Sequence, residues 1–285
     1  MDPVRYSVII PFRDNISILK IACDSIPNRE DIQVIIIDNS NVPFGCDVTA
    51  DFLNPNLLYL TSDPRKGAGC ARNEGLKYAK GRWLLFLDSD DYFTDDAFDV
   101  LDKYYESDYD IVYFNATSIN LKYNKISNRH VTIDNLIKRY LSTGNEDYLR
   151  YSYINPVCKI IRRSLIENNN IKFQEVPASN DIMFSVWSGH SASKIIGIDH
   201  VIYVITEGEE GSSLTRTKSL INQRSRYYVM IDRVKFLNSI NKSHLCPRII
   251  SYTLHGFKDF GIIEGTKWVI YSIKNKINPF AFGCF

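Results

Sequence analysis

The stretch Gly81-Arg-Trp-Leu-Leu-Phe-Leu-Asp-Ser-Asp-Asp91 decides the fold, because five consecutive apolar residues run directly into three carboxylates. A strand that is apolar on both faces is typical of a parallel sheet covered by helices on both sides. In open α/β sheets, ligands bind at the carboxyl ends of the strands. The sequence therefore predicts a buried strand at Trp83–Leu87 with candidate functional residues directly after it.

Apolar runs of the same kind recur along the first half of the chain. They are Tyr6–Ile10, Gln33–Ile37, Leu57–Leu60 and Asp110–Phe114. Helical patterns separate them, and the apolar stripes lie at Ile16–Ile26, Ala71–Ala79 and Ala97–Tyr105, the last with Thr94 as expected N-cap. The order β-α-β-α-β-α predicts an α/β fold with a doubly wound sheet and flanking helices.

The second half of the chain has a looser pattern. It predicts helices at Asp134–Leu141 and Pro156–Ile166, a pair of strands at Ile195–Ile198 and Val201–Ile205, and mostly helix over Thr217–Phe285. We therefore expect one domain over residues 1–215, with residues 1–115 and 116–215 as its two halves. Residues 216–285 would form a helical C-terminal extension.

The charge of the chain is balanced overall but uneven along its length. The 285 residues carry a net charge of +1, which gives no reason to expect nucleic acid as a partner. Residues 216–285 nevertheless hold 12 Lys and Arg against three acidic residues. No signal peptide, bilayer-spanning apolar run or zinc-like cysteine spacing is recognisable, so we expect a cytoplasmic protein with reduced thiols.

The basic extension suggests two alternatives. Aromatic residues alternate with lysines near its end, which favours peripheral association with the inner face of a membrane. These aromatic residues are Trp268, Tyr271, Phe280, Phe282 and Phe285. The alternative is a basic helical cap that docks on the acidic body, and the sequence leaves both open.

The acidic run Asp88-Ser89-Asp90-Asp91 is the first candidate site. Three carboxylates within four residues repel one another unless a positive charge lies among them. Oxygen ligands without nearby Cys or His suit Mg²⁺ or Mn²⁺ better than Zn²⁺. The alternative is a solvated acidic turn that caps the next helix.

A glycine-rich basic segment precedes the acidic run. It reads Arg65-Lys-Gly-Ala-Gly-Cys-Ala-Arg-Asn-Glu-Gly75, and it lies where a loop enters a helix. Lys66 and Arg72 near a helix N-terminus favour phosphate binding, and the glycines allow a ligand to approach the backbone. The segment matches neither GxxxxGK[ST] nor GxGxxG after a strand, so an ordinary flexible loop is the alternative.

Taken together, these motifs resemble the family 2 glycosyltransferases of the GT-A fold, and they match in order and spacing over residues 6 to about 115. They are Ser7-Val-Ile-Ile-Pro11, Val34-Ile-Ile-Ile-Asp38-Asn-Ser40, Lys66-Gly-Ala-Gly-Cys-Ala-Arg-Asn-Glu-Gly75 and Gly81-Arg-Trp-Leu-Leu-Phe-Leu-Asp-Ser-Asp-Asp91. The resemblance implies a mixed GT-A sheet, a nucleotide-sugar donor and a divalent metal ion, Mn²⁺ or Mg²⁺.

The resemblance also implies roles for individual residues. Pro11, Phe12 and Arg13 would line the base pocket, Asp38 would bond the base, and Lys66, Gly67 and Arg72 would lie near the nucleotide. Asp88 and Asp90 match the DxD motif, so Asp88 and Ser89 would contact the sugar nucleotide while Asp90, with Asp88, holds the metal. Asn39-Ser40 stands where many relatives have Gly-Ser.

The second half matches the family more weakly. Asp181, in Asn180-Asp-Ile-Met-Phe184, corresponds to the catalytic base, although Asn180 replaces the commoner Glu. A carboxylate there would take the proton of the acceptor hydroxyl. The alternative is an acidic residue that stabilises a helix N-terminus. Four aromatic residues are further candidates for stacking on an acceptor sugar, namely Tyr151, Tyr153, Trp187 and Tyr203.

We therefore expect an inverting, metal-dependent glycosyltransferase. It would move a sugar from a UDP-sugar to a saccharide or lipid-linked saccharide acceptor, in capsule or O-antigen type surface polysaccharide synthesis. Two alternatives stay open. One is a nucleotidyltransferase, whose glycine-rich loop normally follows the first strand. The other is a relative that binds nucleotide or glycan without turnover.

Overall fold

A single mixed sheet forms the centre of the molecule. The structure is a computed structural model that describes residues 4–50, 52–208 and 219–281. Within these residues the strands are β1 (Tyr6–Phe12), β2 (Ile32–Asp38), β3 (Asn56–Thr61), β4 (Trp83–Phe86), β5 (Tyr92–Phe93), β6 (Ile111–Asn120), β7 (Lys125–Ile126), β8 (Lys159–Arg162) and β9 (Ile195–Glu207). Their order is β3-β2-β1-β4-β8-β6-β9-β5, and β7 pairs with β6.

The first four strands are parallel and confirm the sequence prediction. β1 lies between β2 and β4, and Val8 pairs with Val34 on one side and Leu85 on the other. Every residue of β1, β2 and β4 is buried, whereas β3 is half-exposed because it forms the sheet edge. Continuous hydrophobicity therefore reports burial on both faces.

The second half of the sheet is mixed, and two predictions there were wrong. Residues 159–162, predicted as helix, form β8, which is antiparallel to both β4 and β6. The two predicted strands at 195–205 are one strand, β9, parallel to β6 with register shifts near Asn115. A short apolar run does not distinguish strand from helix, because only long-range pairing decides between them.

Helices cover both faces of the sheet. They are α1 (Ile16–Asp24), α2 (Gly67–Tyr78), α3 (Ala97–Asp102), α4 (Val131–Thr143), α5 (Asp147–Ser152), α6 (Arg163–Asn168), α7 (Ile182–Ser191), α8 (Leu220–Ser239) and α9 (Ile249–Lys274). The predicted Thr94 cap was wrong, because Asp96 occupies the N-cap of α3 and Thr94 donates a hydrogen bond to its carboxylate.

The C-terminal helices share a second hydrophobic core with the second half of the domain, which we call the acceptor half because the resemblance implies acceptor binding there. That core combines Ile182, Met183 and Val186 of α7 with residues of α8 and α9 such as Tyr227 and Trp268. The α9 segment reverses at Gly261, whose φ of 83° is the left-handed conformation that glycine adopts without strain. The expected boundary at 215/216 lies outside the described residues. No helix in the described ranges is long and apolar enough to cross a bilayer.

Of the aromatic residues expected to anchor a membrane helix, Trp268 and Tyr271 pack against α8. Trp268 is buried, stacks on Tyr227 and donates its indole N–H to Glu264 at 2.9 Å. Tyr271 stacks on Tyr228. The anchor prediction was wrong for Trp268, which is buried because α8 provides its aromatic partner, whereas Tyr271 is half-buried. Phe280 is exposed, and Phe282 and Phe285 lie outside the described residues.

Candidate active site at the carboxyl ends of the parallel strands

The ends of β1 and β2 form a connected turn region around Asp38. Asp38 is fully buried, and its carboxylate accepts hydrogen bonds from the Ser40 N–H at 2.8 Å, the Phe44 N–H at 2.8 Å and the Tyr59 hydroxyl at 2.6 Å. Burial alone would raise the pKa of Asp38, but these donors hold it below its usual value. Asp38 therefore orders the Ser40–Phe44 turn, and three donors of the protein already occupy its buried carboxylate.

The residues after β1 differ in exposure. Pro11 and Phe12 are buried, and the Phe12 ring lies 5.5 Å from that of Phe44. Arg13 is exposed and pairs with Asp14 at 3.3 Å. The Asp14 N–H donates to the Ser40 hydroxyl at 3.0 Å, which ties the two strand ends together. Of the three predicted base-pocket residues, only Arg13 presents its side chain to solvent.

The acidic run after β4 divides into two kinds of carboxylate. Asp91 is buried and accepts the Thr206 N–H at 2.7 Å, while the Thr206 hydroxyl donates to the Asp90 carbonyl oxygen at 2.5 Å. Burial and the charges of Asp88 and Asp90 raise the pKa of Asp91 well above its usual value. Asp91 therefore anchors the loop to β9. The three carboxylates lie close enough for Asp88 and Asp90 to act on Asp91, as the sequence predicts, but only Asp88 and Asp90 remain accessible.

Asp88 and Asp90 remain at the surface of this loop, with half-exposed Ser89 between them. Asp88 pairs with Arg72, and its backbone N–H donates to the Tyr203 hydroxyl at 3.1 Å. Asp90 is exposed, and desolvation by the surrounding chain together with the charge of Asp88 raises its pKa.

Arg72 connects the acidic loop with the second half of the molecule. Its guanidinium donates to Asp88 Oδ1 at 2.6 Å and to Asn180 Oδ1 at 2.9 Å, and it lies over the Phe173 ring at 5.4 Å. The side chain is buried, and its Nε has no hydrogen-bond acceptor among the described residues. A planar guanidinium can hold two acceptors at once in a fixed geometry. Arg72 thereby places Asp88 next to the residue that precedes Asp181.

The glycine-rich segment forms the start of α2, as the sequence predicts, but its N-terminus is covered by protein. A side chain at Gly69 would lie 2.2 Å from the Gln174 carbonyl oxygen, and one at Gly67 would lie 3.2 Å from that of Val176. Lys66 is exposed and pairs with Glu175 at 2.9 Å. The glycines therefore admit the Gln174–Pro177 backbone to the helix N-terminus, where phosphate was expected.

Asp181 is half-buried at the N-cap of α7. Burial raises its pKa, and the positive charge of Arg72 acts in the opposite direction. Lys159 is a second charged neighbour, buried with its ammonium 3.1 Å from the Tyr153 carbonyl oxygen. Burial lowers the pKa of Lys159 to about 7, against the charges of Cys158 and Asp181.

The loop before Asp181 is fixed from both sides. We call Phe173–Asn180 the catalytic loop, because it leads directly to Asp181, the expected base. Asn73 of α2 accepts the Phe173 N–H at 2.8 Å and donates to its carbonyl at 3.0 Å. From α8, the Ser225 hydroxyl donates to the Ala178 carbonyl at 2.8 Å and accepts its N–H at 3.3 Å. No sequence motif indicated Ser225 or Tyr59, because their roles depend on contacts distant in sequence.

The predicted sugar-stacking aromatics are mostly inside the protein. Tyr151, Tyr153 and Tyr203 are buried, and the Tyr153 hydroxyl donates to the Phe114 carbonyl at 3.1 Å. Their prediction as stacking residues was wrong because they fill the core below the site. Trp187 is half-buried and packs against both hydrophobic cores.

A profile of the family described as Glycosyl transferase family 2 matches residues 7–169, more than half of the chain. The chain belongs to glycosyltransferase family 2. The match covers β1 through α6 and therefore includes Asp38, Arg72 and the acidic run, whereas Asp181 lies beyond it.

Solved structures support the same fold. The structure of S. aureus TarS 1–349 in complex with UDP-GlcNAc superposes with a TM-score of 0.69 and 22% identity, covering 94% of this chain and 79% of that one. The mannosyltransferase PcManGT from Pyrobaculum calidifontis, in complex with GDP-Man and Mn²⁺, gives 0.60 and 14% identity over 95% and 75% of the two chains. The fold is thus the mixed GT-A sheet with flanking helices.

Curated relatives of this family 2 chain act on different acceptors. Cholesterol galactosyltransferase of Borreliella burgdorferi is 25% identical over 77% of this chain and 64% of its own length. TarS of Staphylococcus aureus, a poly(ribitol-phosphate) β-N-acetylglucosaminyltransferase, is 22% identical over 96% of this chain and 47% of its own. The chain therefore spans between about half and two thirds of these relatives.

The residues after β4 fit a divalent metal ion shared with a ligand. Within the described ranges, no group of three His, Cys, Asp or Glu residues is placed to hold a metal. Asp88 engages Arg72 through one oxygen, and Asp90 makes no ion pair with a described residue. Mg²⁺ in proteins is often held by one or two carboxylates together with substrate phosphates. Asp88 and Asp90 provide this incomplete donor set.

Proposed function

We propose that the protein is an inverting, metal-dependent glycosyltransferase that moves a sugar from a UDP-sugar to a saccharide or lipid-linked saccharide acceptor in surface glycan synthesis. The observation that carries this proposal is the double contact of Arg72 with Asp88 and Asn180. It joins the end of β4, where the donor diphosphate is expected, to the residue beside the proposed base. Donor and acceptor chemistry can therefore meet at one place.

The relatives support the donor class and the general pathway. TarS has been solved with UDP-GlcNAc and with UDP, and PcManGT with GDP-Man and Mn²⁺. Several curated relatives act on cell-surface polymers, among them the poly(ribitol-phosphate) β-glucosyltransferase of Bacillus spizizenii. We propose UDP as the nucleotide, with Pro11, Phe12, Arg13 and Asp38 shaping the base end of the pocket.

The residues predicted near the diphosphate have separate roles in the proposed reaction. Asp90 and the free oxygen of Asp88 would hold Mn²⁺ or Mg²⁺, which when bound stabilises the charge on the departing diphosphate. Arg72 holds Asp88 and adds positive charge beside the diphosphate, and Ser89 lies within the same loop. Lys66 and Gly67 border the catalytic loop. We therefore propose that they hold this loop in place rather than bind the phosphate.

The proposed transfer is a single displacement at the anomeric carbon. The acceptor hydroxyl oxygen forms a bond to this carbon while the bond to the diphosphate oxygen breaks, so the configuration inverts and UDP leaves. Asp181 takes the proton of the hydroxyl as the new bond forms. Burial raises the pKa of Asp181, which makes its carboxylate a stronger base than an exposed aspartate.

The test measures UDP release and sugar transfer with panels of UDP-sugars and of saccharide and lipid-linked acceptors. We expect Asp181→Asn to lower kcat by about 100-fold or more, the range that general-base catalysis contributes, without weakening UDP binding. Asp95→Asn changes an exposed carboxylate four residues after the acidic run. It is the control and should keep full activity. Full transfer activity in Asp181→Asn would overturn the assignment.

The same assay separates the proposal from its alternatives. A nucleotidyltransferase would release pyrophosphate from a nucleoside triphosphate, and a non-catalytic relative would bind UDP without releasing product from a UDP-sugar. We also propose a cytoplasmic location. The acceptor is proposed only as a class, because the curated relatives share the family but differ in acceptor.

A further inference from the structure

The second half of α9 exposes an apolar face that no described residue covers. Between Gly261 and Asn275 the exposed isoleucines are Ile262 (79%), Ile263 (77%), Ile270 (46%) and Ile273 (61%). Viewed down the axis, these four side chains fall within an arc of about 100°. We call them the isoleucine face. The exposed Thr266 lies within the same arc, between the two pairs of isoleucines. An exposed face made mainly of large apolar side chains indicates an interaction surface.

The opposite side of the same helix packs against the rest of the protein. Trp268 packs on Tyr227, and a side chain at Gly256 would collide with the Trp268 ring, so the two halves of α9 lie against each other. Glu264 is buried and pairs with Arg224 at 2.6 Å. The inward contacts therefore fix the rotation of the helix, and the isoleucine face points outward as a defined surface.

The exposed charges that border the isoleucine face within the second half of α9 are lysines. Lys267 and Lys274, seven residues apart, fall along one border of the face, and Lys267 also pairs with Glu264 at 3.5 Å. From Ile262 to Lys274, where every residue is described, the only acidic residue is Glu264, which is buried. The described residues 219–281 carry 10 Lys and Arg against three acidic residues. An occupant with an apolar interior and a negatively charged surface fits both features.

We propose that the isoleucine face binds the surface of an anionic lipid bilayer, with the helix parallel to the membrane plane. Four isoleucines would enter the headgroup and acyl boundary, while the two lysines extend toward lipid phosphates. Each lysine near an anionic surface contributes about 1 kcal/mol, and the acidic body of the protein would turn away. The binding residues are therefore isoleucines and lysines, and the aromatic residues Trp268 and Tyr271 serve internal packing.

Co-sedimentation of the full chain with vesicles tests this proposal. The vesicles contain phosphatidylcholine alone or an equal mixture of phosphatidylcholine and phosphatidylglycerol. We expect binding to the anionic mixture, reduced at least about tenfold in Ile262→Ser/Ile273→Ser, because two apolar side chains no longer enter the bilayer. Ile21→Ser/Leu53→Ser removes comparably exposed apolar side chains elsewhere and should bind as the parent protein does.

A second pair of variants tests the electrostatic part. Lys267→Gln/Lys274→Gln should weaken binding at low salt and reduce the dependence of binding on salt, because surface charges are screened within about 10 Å at 0.1 M salt. Lys20→Gln/Lys103→Gln is the control. It removes two lysines from the first half of the chain and should leave the dependence of binding on salt unchanged. A smaller salt dependence in the first pair alone supports the proposal.

Two outcomes would overturn the membrane assignment. One is the absence of vesicle binding by the parent protein at low salt. The other is a dimer in sedimentation velocity that Ile262→Ser/Ile273→Ser converts to monomer while vesicle binding is absent, which would make the face an interface between copies of the chain. Thermal unfolding of all variants verifies that the exposed substitutions leave the fold intact.

Discussion

Arg72 is the residue on which the two halves of the candidate site depend. Its guanidinium donates hydrogen bonds to Asp88 and Asn180 and lies over the Phe173 ring. The sequence indicated that Arg72 lies near the nucleotide, because an arginine in a glycine-rich segment before the acidic run fits phosphate binding. The contact with Asn180 could not be read from the sequence, since 108 positions separate the two residues.

Lys159 gives a stability prediction with a definite sign. Its folded-state pKa of about 7 lies below the ordinary lysine value of 10.5, so the folded protein prefers the neutral amine. The stability that the neutral amine contributes is present above pH 10.5 and is lost as the pH falls toward 7. Because of Lys159, the free energy of unfolding falls by about 1.4 kcal/mol for each pH unit over this interval.

We expect Lys159→Met to gain stability relative to the parent protein as the pH falls from 10 to 7, and to keep a constant difference below that. Urea unfolding at several pH values measures this difference. Lys103→Met, at an exposed position, should show no such trend. A pH-independent difference for Lys159→Met would mean that Lys159 is charged throughout in the folded protein.

Asp181 gives a prediction about the pH dependence of catalysis. Burial raises the pKa of this carboxyl above its usual value of 3.8, and only the carboxylate form can take a proton. With donor, acceptor and Mn²⁺ saturating, kcat should rise with pH through a midpoint above 3.8 and then level off. The residual rate of Asp181→Asn should lack this rise, and an identical profile in both proteins would contradict the assignment.

At the scale of elements, the catalytic loop is held by two helices that come from distant parts of the sequence. Helix α2 accepts and donates hydrogen bonds through Asn73, and α8 does so through Ser225. Gln174 also donates to Asp232 of α8 at 3.0 Å. The C-terminal extension therefore packs directly against the loop that precedes the proposed base.

Ser225→Ala tests whether α8 positions the base. The change leaves both backbone groups of Ala178 without their buried partner, which costs about 1–3 kcal/mol. We expect kcat to fall while the Kd for UDP stays unchanged, because the proposed donor site lies on the other half of the sheet. Ser239→Ala, at an exposed position of the same helix, is the control. Equal losses in kcat and UDP affinity would indicate general loosening instead.

Elements with local signals were predictable, and elements defined by distant partners were not. The runs at β1, β2 and β4 are apolar on both faces, and the structure buries both faces. β8 was missed because Lys159-Ile-Ile-Arg162 has no alternation, and its strand conformation comes from pairing with β4 and β6. The sequence did not distinguish Asp91 from the rest of the acidic run, and only the contact with Thr206 reveals its anchoring role.

At the scale of the whole molecule, one sheet places the donor motifs at a common edge, and the second half brings the proposed base to it. The parallel part of the sheet explains why motifs distant in sequence meet, since Phe12 pairs with Asp38, 26 residues later, and Ile9 pairs with Phe86, 77 residues later. The acceptor half and the C-terminal helices share the second core. A change in α8 can therefore reach the site without touching the nucleotide.

Calorimetric titration of UDP and of a panel of UDP-sugars into the intact protein, with and without Mn²⁺, tests the central claim most directly. The account predicts Mn²⁺-dependent binding that Asp90→Asn weakens at least about tenfold, whereas the buried neighbour variant Asp91→Asn, if folded, binds within about twofold of the parent protein. The absence of heat with every nucleotide, or equal affinity in Asp90→Asn and the parent protein, would contradict it.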